Sequence, residues 1–198
     1  MNIVDRIINI ILSVVLIVGA YQFYFWCQRT TVFAPRELRS PVDEMIPYRP
    51  EWVWIYSLLY YPAILYVNIV LDSSQQFTQV AASYLLLLML QMAFFVLLPV
   101  RTPHHWRTAE EGGSLSERFL ALVQRFDAPT NSFPSMHTSV AMLTALHIVP
   151  QAGAVAFAFP VLIGLSCLFT KQHYVVDVPC GALLGWFDYG LYQKIAGA

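Results

Sequence analysis

The chain has 198 residues and a net charge of −1; 58% of its residues are hydrophobic and 12% are charged. Soluble domains are about 45–50% apolar and about 25% charged. This composition therefore excludes a disordered chain, a nucleic-acid binder and most soluble enzymes. The three cysteines, Cys27, Cys167 and Cys180, have unrelated spacings that support neither a disulfide framework nor a zinc cluster. We infer an integral membrane protein.

Six apolar stretches predict an all-α fold, an integral membrane six-helix bundle that forms a single domain over residues 1–198. A helix that crosses a bilayer core of about 30 Å needs roughly 20 mostly apolar residues. The first stretch is too long for a cleavable signal peptide and is interpreted as a retained helix. The predicted spans are Ile7–Trp26, Trp52–Leu71, about Thr78–Val100, the run from Ser135 to Val149 before Pro150, Ala152–Thr170 and about Val175–Ala196.

Most polar residues fall in alternate connections between these spans, namely Cys27–Glu51, Arg101–Pro134 and Lys171–Tyr174. Six crossings place these three connections on one side of the membrane. That side carries nine of the 11 Lys and Arg residues, and only Arg6 and Lys194 lie on the other. Any chemistry is therefore expected on this polar side.

The segment from Lys171 to Asp177 contains the strongest chemical pattern. His173 and Asp177 are four residues apart, so on a helix they would share a face and could hydrogen-bond. A carboxylate behind an imidazole fixes its tautomer, which suits a nucleophilic or basic histidine. The same pair also fits an interfacial histidine beside an aspartate that stabilises the helix dipole.

A second pattern lies at the predicted start of the fourth span. Pro134 and Ser135 favour a helix start with Ser135 as the cap. The free N–H groups of such a first turn bind anions, and His137 would face the anion. A capped helix with a surface histidine explains the same residues.

A third pattern follows the third span, where Arg101 and Arg107 stand at a membrane boundary. Two arginines so close could clamp a phosphate, or they could extend towards lipid headgroups as interfacial arginines do. His104 and His105 are adjacent, so they point in different directions and do not predict a metal pair.

Polar residues inside the spans include His147 and Asp188. An ionisable residue within a membrane span is a functional candidate by default. Asp188, however, lies roughly 16 Å beyond Asp177 along a helix, so structural roles are favoured for Asp188 and His147. Gly181 and Gly185 form a small-xxx-small pair that predicts close helix packing.

The histidine patterns gain weight in combination, because two histidines, one aspartate, an anion-binding helix start and several Arg and Lys residues share one side of a small bundle. The sequence has no carboxylate cluster for hard metals and no Cys/His set for zinc. This combination predicts phosphoryl transfer through a covalent phosphohistidine, without a metal or another cofactor. Arg, Lys and backbone N–H groups would stabilise the transition-state charge.

These residues resemble the motifs of the type 2 phosphatidic acid phosphatase superfamily, whose membrane-embedded members have six helices. The run from Pro134 to His137 resembles the motif Pro-Ser-Gly-His. Ser166, His173 and Asp177 have the spacing of the motif Ser-Arg-x5-His-x3-Asp. The resemblance covers about residues 40–196, and its wording is closest to the branch that contains inositol phosphorylceramide synthases.

Three positions depart from the family pattern. Cys167 replaces the arginine of the third motif, so Lys171 would have to supply that charge. Met136 replaces the glycine of the second motif, although its N–H remains available to a phosphate. The first motif is not intact, and Arg101 and Arg107 are its candidates.

The resemblance implies that His173 attacks phosphorus, Asp177 orients it and His137 protonates the leaving alkoxide. The phosphate would be held by five residues: Ser135, Met136, Arg101, Lys171 and Arg107. Water as acceptor makes a phosphatase and an alcohol makes a phosphotransferase. Hydrolysis of a lipid phosphate is favoured because water needs no dedicated pocket.

A non-catalytic membrane protein is a further reading, and Cys167 is its best support. The sequence leaves the lipid and the oligomeric state open. The excess of positive charge on the polar side favours a cytoplasmic location for that side, whereas most family members have the active site outside the cytosol. Following the family, we expect a multi-pass protein of a bacterial inner membrane with its site facing the periplasm or exterior.

Overall fold

The computed structural model describes residues 1–107 and 113–196. Helices make up 76% of the structure, which confirms the all-α class. In the described ranges, β-pairing is limited to an isolated bridge between Arg36 and Val100. The α-helices are α1 (Ile3–Arg29), α2 (Pro41–Met45), α3 (Tyr60–Val70), α4 (Ser74–Leu97), α5 (Leu115–Phe126), α6 (Met136–Ala152), α7 (Ala158–Phe169) and α8 (Asp177–Ala196).

Shorter helical turns connect these elements. A 3₁₀ turn at Pro50–Trp52 and a π-helical turn at Ile55–Leu59 lead into α3. Further 3₁₀ turns span His104–Trp106 and Gly153–Phe157.

Four helical segments of the described chain are long and apolar enough to cross a membrane: Ile3–Arg29, Pro50–Val70, Ser74–Leu97 and Met136–Phe169. The predicted count of six spans is therefore not confirmed. The fourth segment contains both α6 and α7, which pack against each other around Gly153, a residue with φ 60°. With 20 residues, α8 is as long as a span but is not among the four.

Helix starts follow local sequence signals. The Ser135 hydroxyl accepts a hydrogen bond from the Thr138 N–H, so the predicted cap of α6 is confirmed. Ser73 caps α4 in the same way. Pro150 was expected to interrupt the fourth span, but it lies inside α6, which continues to Ala152.

The helix α6 is central and packs against α3, α4, α7 and α8. A Cβ atom at Gly181 would collide with the backbone oxygen of Ser135, and one at Gly185 would collide with that of Ser139. The two glycines therefore allow α8 to approach α6 closely, as predicted. Gly181 meets Ser135 and Gly185 meets Ser139, so residue numbers increase in the same direction along both helices. The helices α6 and α8 therefore run parallel and begin on the same side.

The amphipathic helix α5 lies on that side and was not predicted. Ser114 and Glu117 form a capping box at its start. Phe119 stacks on Trp54, with ring centroids 4.9 Å apart. Leu122 and Phe126 remain exposed on the same apolar stripe. The helix α5 thus covers one edge of the bundle where α6 and α8 begin.

Candidate active site

The starts of α6 and α8 are tied together by the backbone. The Ser135 N–H donates to the Asp177 carbonyl at 3.0 Å. The Ser135 hydroxyl is also 3.2 Å from the Thr138 hydroxyl, which donates to it. Both helix starts are therefore fixed relative to each other, and they carry two of the predicted catalytic residues, His137 and Asp177.

His173 lies in the tight turn before α8. Its Nδ1 is 2.9 Å from the Ser132 carbonyl oxygen and 3.3 Å from Asp177 Oδ2. Asp177 Oδ2 also accepts a hydrogen bond from the Tyr174 N–H at 2.9 Å. The predicted contact between His173 and Asp177 is present, but a turn that ends at the first residue of α8 makes it, rather than a shared helix face.

These partners fix the tautomer of the neutral His173 ring. A carbonyl oxygen can only accept a hydrogen bond, and so can an ionised carboxylate. Nδ1 must therefore carry the proton, which leaves the lone pair of the neutral ring on Nε2. This is the tautomer that a nucleophilic histidine needs.

His137 faces His173 across a short gap, with ring centroids 6.3 Å apart. Its ring stacks on Tyr56 at 4.2 Å and packs against Tyr60 at 4.7 Å. Its Nδ1 is 3.3 Å from the Tyr56 hydroxyl. The aromatic rings hold His137 in one orientation, and a reacting group between the two histidines could contact both.

A cavity of about 440 Å³ extends from the two histidines into the bundle. Its walls are mainly apolar and aromatic, with contributions from α1, α3, α4 and α5. Its polar end is formed by His137, His173 and the connection around α5. Residues at that end include Arg107, Asp127, Thr130, Asn131, Ser132 and Met136. The shape combines a chemical site with a surface that suits an apolar chain.

Arg107 is a predicted phosphate ligand that lines this cavity, as does Met136. Its Nη1 donates to the carbonyl oxygens of Gln124 and Asp127 at 2.9 and 2.7 Å. Burial lowers the pKa of Arg107, and the Asp127 carboxylate opposes this shift. The guanidinium is therefore held at the cavity wall by the end of α5.

Lys171 does not line the cavity in this structure. Its Nζ donates to the Asp43 carbonyl at 2.6 Å and lies 4.9 Å from the centroid of the Trp106 ring. Burial lowers the pKa of Lys171, and the carboxylates of Glu44 and Asp43 oppose this shift. The amino group thus anchors the turn that carries His173.

Arg101 is also directed elsewhere. Its Nε is 3.3 Å from Glu37 Oε1, and about half of its side chain is exposed. Its carbonyl accepts a hydrogen bond from the Tyr174 hydroxyl at 2.8 Å. Arg101 therefore contacts the turn at 171–176 through its backbone.

Cys167 occupies the position of the third-motif arginine and is fully buried. Its Sγ is 3.9 Å from the Ser135 hydroxyl, whose oxygen caps α6. A thiol at this position packs under the start of α6 and adds no positive charge. Among the described residues, no group of three or more His, Cys, Asp or Glu residues could hold a metal ion.

Asp43 is a contributor to the site that the sequence analysis did not identify. One carboxylate oxygen accepts from the Val175 N–H at 2.7 Å, and the other accepts from the N–H and hydroxyl of Ser40, each at 2.7 Å. Asp43 therefore fixes the His173 turn from 132 positions away. The capping position of Ser40 before α2 is a local sequence signal for the Ser40–Asp43 contact. No sequence signal indicates the long-range contact between Asp43 and Val175.

Comparison with known proteins places this arrangement in a family. A match to the PAP2 superfamily covers residues 49–191, most of the chain. The chain belongs to this superfamily, which comprises phosphatases and phosphotransferases. The predicted family membership is thus confirmed, and together with the four long apolar helices it indicates a membrane protein.

One curated relative is an uncharacterized protein of Methanocaldococcus jannaschii, which is 38% identical over 72 residues. The match spans 35% of this chain and 30% of that relative. No solved structure matches the chain.

Proposed function

We propose that this chain is a membrane-embedded lipid phosphate phosphatase that acts through a phosphohistidine intermediate without a metal ion. The observation that carries the proposal is the fixed tautomer of His173, whose Nδ1 contacts Asp177 and the Ser132 carbonyl while His137 faces the ring at 6.3 Å. A family of phosphatases and phosphotransferases is the context in which this pair has a chemical role.

In the first step, His173 Nε2 attacks phosphorus and the bond from phosphorus to the alkoxide oxygen breaks. His137 gives a proton to that oxygen, so the alcohol leaves neutral. Asp177 accepts a hydrogen bond from Nδ1–H and stabilises the positive charge that forms on the ring. In the second step, His137 takes a proton from water, the water oxygen bonds phosphorus, and the P–N bond breaks to release phosphate.

The phosphate oxygens would be held by the Met136 N–H in the first turn of α6 and by Arg107 at the cavity wall. Ser135 positions that first turn as its cap. Phosphate binding by Lys171 or Arg101 would require each side chain to leave its present partner. For this reason we propose that Arg107 contributes most of the positive charge that balances the phosphate.

The lipid nature of the substrate is supported by the apolar walls of the cavity, which continue from the two histidines along the spans. The arrangement proposed in the membrane has six crossings, with α6, α7 and α8 as the last three. Following most family members, we propose that the site faces outside the cytosol, in the periplasm or exterior of a bacterial inner membrane. Labelling of a cysteine introduced at exposed Ser114 in intact cells would support this orientation, and labelling only after permeabilisation would contradict it.

The test is release of inorganic phosphate from a panel of lipid phosphates by detergent-purified protein in excess chelator. We expect release that survives the chelator and is lost in His173→Ala. His104→Ala is the matched control, because His104 is exposed on the same side and does not line the cavity.

Three results would count against the proposal. Release that needs a metal would overturn the metal-independent mechanism. Phosphate release by His173→Ala equal to that of the wild-type protein would overturn the assignment of His173 as the nucleophile and would favour a non-catalytic role for the histidines. Absence of release from folded protein, with transfer to an added alcohol, would favour the phosphotransferase alternative.

A further inference from the structure

Several polar atoms beside His173 have no hydrogen-bond partner within residues 1–107 and 113–196. They include Nδ2 and Oδ1 of Asn131, Oγ1 of Thr130 and Nε of Arg107. All three residues line the polar end of the cavity, and Asn131 is 3% exposed. Buried polar groups in native proteins are nearly always paired, so a concentration of unpaired ones at a cavity wall points to a ligand.

The backbone holds this segment firmly next to the nucleophile. The Thr102 N–H donates to the Pro129 carbonyl at 2.9 Å, and the Ser132 N–H donates to the Val100 carbonyl at 3.1 Å. The Ser132 carbonyl is the partner of His173 Nδ1. Asn131 therefore sits one residue from the group that orients the nucleophile, in a left-handed conformation with φ 64°.

The chemistry of the unpaired atoms is mixed. Arg107 Nε and Asn131 Nδ2 donate, Asn131 Oδ1 accepts, and the Thr130 hydroxyl does both. A phosphate dianion accepts hydrogen bonds and would leave the Asn131 oxygen unpaired. Asp127 also lines the cavity, and its Oδ1 accepts from the Tyr24 hydroxyl at 2.8 Å and from Gln28 Nε2 at 2.7 Å. A second anion would be repelled here, whereas hydroxyl groups, which donate and accept, match the set.

We propose that Thr130 and Asn131, next to the phosphate-binding Arg107, form a subsite for the hydroxyl groups of a polyhydroxy alcohol, adjacent to the phosphate bound at His173. This subsite rests on the proposed function, because the position of the phosphate defines it. The alcohol has two possible sources: it is the alcohol part of the substrate ester, or it is a free acceptor that replaces water.

The second source requires a balanced transfer step. The acceptor O–H gives its proton to His137, and its oxygen forms a bond to phosphorus. The P–N bond breaks, and its electron pair returns to His173 Nε2. The product is the phosphorylated alcohol in place of inorganic phosphate.

Asn131→Gly is the decisive substitution. Glycine adopts a positive φ freely, so this change removes the amide without straining the turn. Gln124→Ala is the matched control: Gln124 Nε2 is also buried and unpaired, but the residue does not line the cavity and its backbone carbonyl, which Arg107 contacts, is retained.

Binding without turnover tests the first source. In the His173→Ala background, native mass spectrometry compares phosphatidylglycerol phosphate with its analogue in which propane-1,3-diol replaces the headgroup glycerol, so that the two lipids have the same acyl chains and charge and differ in one hydroxyl group. We expect about tenfold tighter binding of the former, as one or two added hydrogen bonds would give. The preference should disappear with Asn131→Gly and persist with Gln124→Ala.

Product partition tests the second source in the active protein. Phosphatidic acid is the donor, and glycerol or inositol is added to the aqueous solution. We expect the ratio of phosphorylated polyol to inorganic phosphate to exceed the ratio of polyol to water concentrations. Asn131→Gly should lower the product ratio to the ratio of concentrations. A preference in either arm that requires Asn131 supports the subsite. The absence of any preference in both arms, or a preference that Asn131→Gly leaves intact, overturns it. Loss of turnover alone would count against the proposed function, because the binding arm does not depend on it.

Discussion

Helix α6 carries two histidines and α8 carries two aspartates, so the bundle has one His and one Asp at its polar end and another of each deeper inside. The surroundings of the two regions distinguish a chemical site from a packing site. At the polar end, His137 and His173 line the cavity, and Asp177 contacts His173. Deeper in the bundle, His147 and Asp188 are buried but do not line it. Both regions contain intramembrane or boundary ionisable residues that would be functional candidates on burial alone.

The local contacts show the difference. His147 Nε2 is 3.0 Å from the Ser83 hydroxyl, and its ring packs against Tyr189 and Tyr192 at 5.2 and 4.8 Å. Asp188 has no partner for either carboxylate oxygen in the described part of the chain. Among the contacts of the described residues, no carboxylate orients His147, whereas Asp177 orients His173. Access to a cavity and a fixed tautomer, rather than burial, distinguish the candidate active site.

The two aspartates give the largest expected contrast. Asp177→Asn removes the negative charge that stabilises the imidazolium, although the Ser132 carbonyl can still accept the hydrogen bond of Nδ1–H, so we expect kcat to fall on the order of 10³–10⁴-fold. Asp188→Asn should leave kcat per folded protein unchanged. Phosphate release at saturating lipid measures both, and equal losses in the two variants would erase the distinction between the regions.

The two α6 histidines give the next contrast. His137→Asn should lower kcat by roughly 10²–10⁴-fold, the range of a lost general acid. The loss in kcat/KM, which reports the step that releases the leaving group, should shrink with a p-nitrophenyl phosphate ester, because that leaving group needs no proton. His147→Asn should keep the wild-type ratio between alkyl and p-nitrophenyl esters. A loss in His137→Asn that is the same for both leaving groups would argue against the general acid.

The packing between α6 and α8 supplies the smallest effect. Gly185→Ala brings a methyl group against the Ser139 backbone oxygen, and we expect a loss of about 1–3 kcal/mol in the free energy of unfolding. Gly190→Ala is the control, since a Cβ there meets nothing within 4 Å. Thermal unfolding in detergent distinguishes the two, and matching melting temperatures would mean that α6 and α8 do not pack as described.

The features that were predictable from sequence are those with local signals. Ser135 has a capping residue's position, His173 and Asp177 have a diagnostic spacing, and Gly181 and Gly185 share a helix face. The start of α5 also had a signal, the capping box of Ser114 and Glu117. The helix has only 12 residues and one polar, charged face, so a search for apolar spans of about 20 residues does not find it.

Long-range contacts account for what the sequence did not reveal. Lys171 and the Asp43 carbonyl are 128 positions apart, and no pattern in either segment indicates that they meet. Arg101 is the first candidate in the sequence and Arg107 the second, but of the two only Arg107 folds against the cavity, because the end of α5 offers it two carbonyl oxygens. Side-chain direction at a boundary depends on such partners, which lie elsewhere in the chain.

The most direct measurement of the central claim is capture of the covalent intermediate. The wild-type protein would be mixed briefly with a ³²P-labelled lipid phosphate that it hydrolyses, quenched in alkali and digested for peptide mapping. We predict an acid-labile, alkali-stable label on the peptide that contains His173, absent in His173→Ala and retained in His104→Ala. Turnover without any such label under rapid quench, or a label that persists in His173→Ala, would contradict phosphohistidine chemistry at this site.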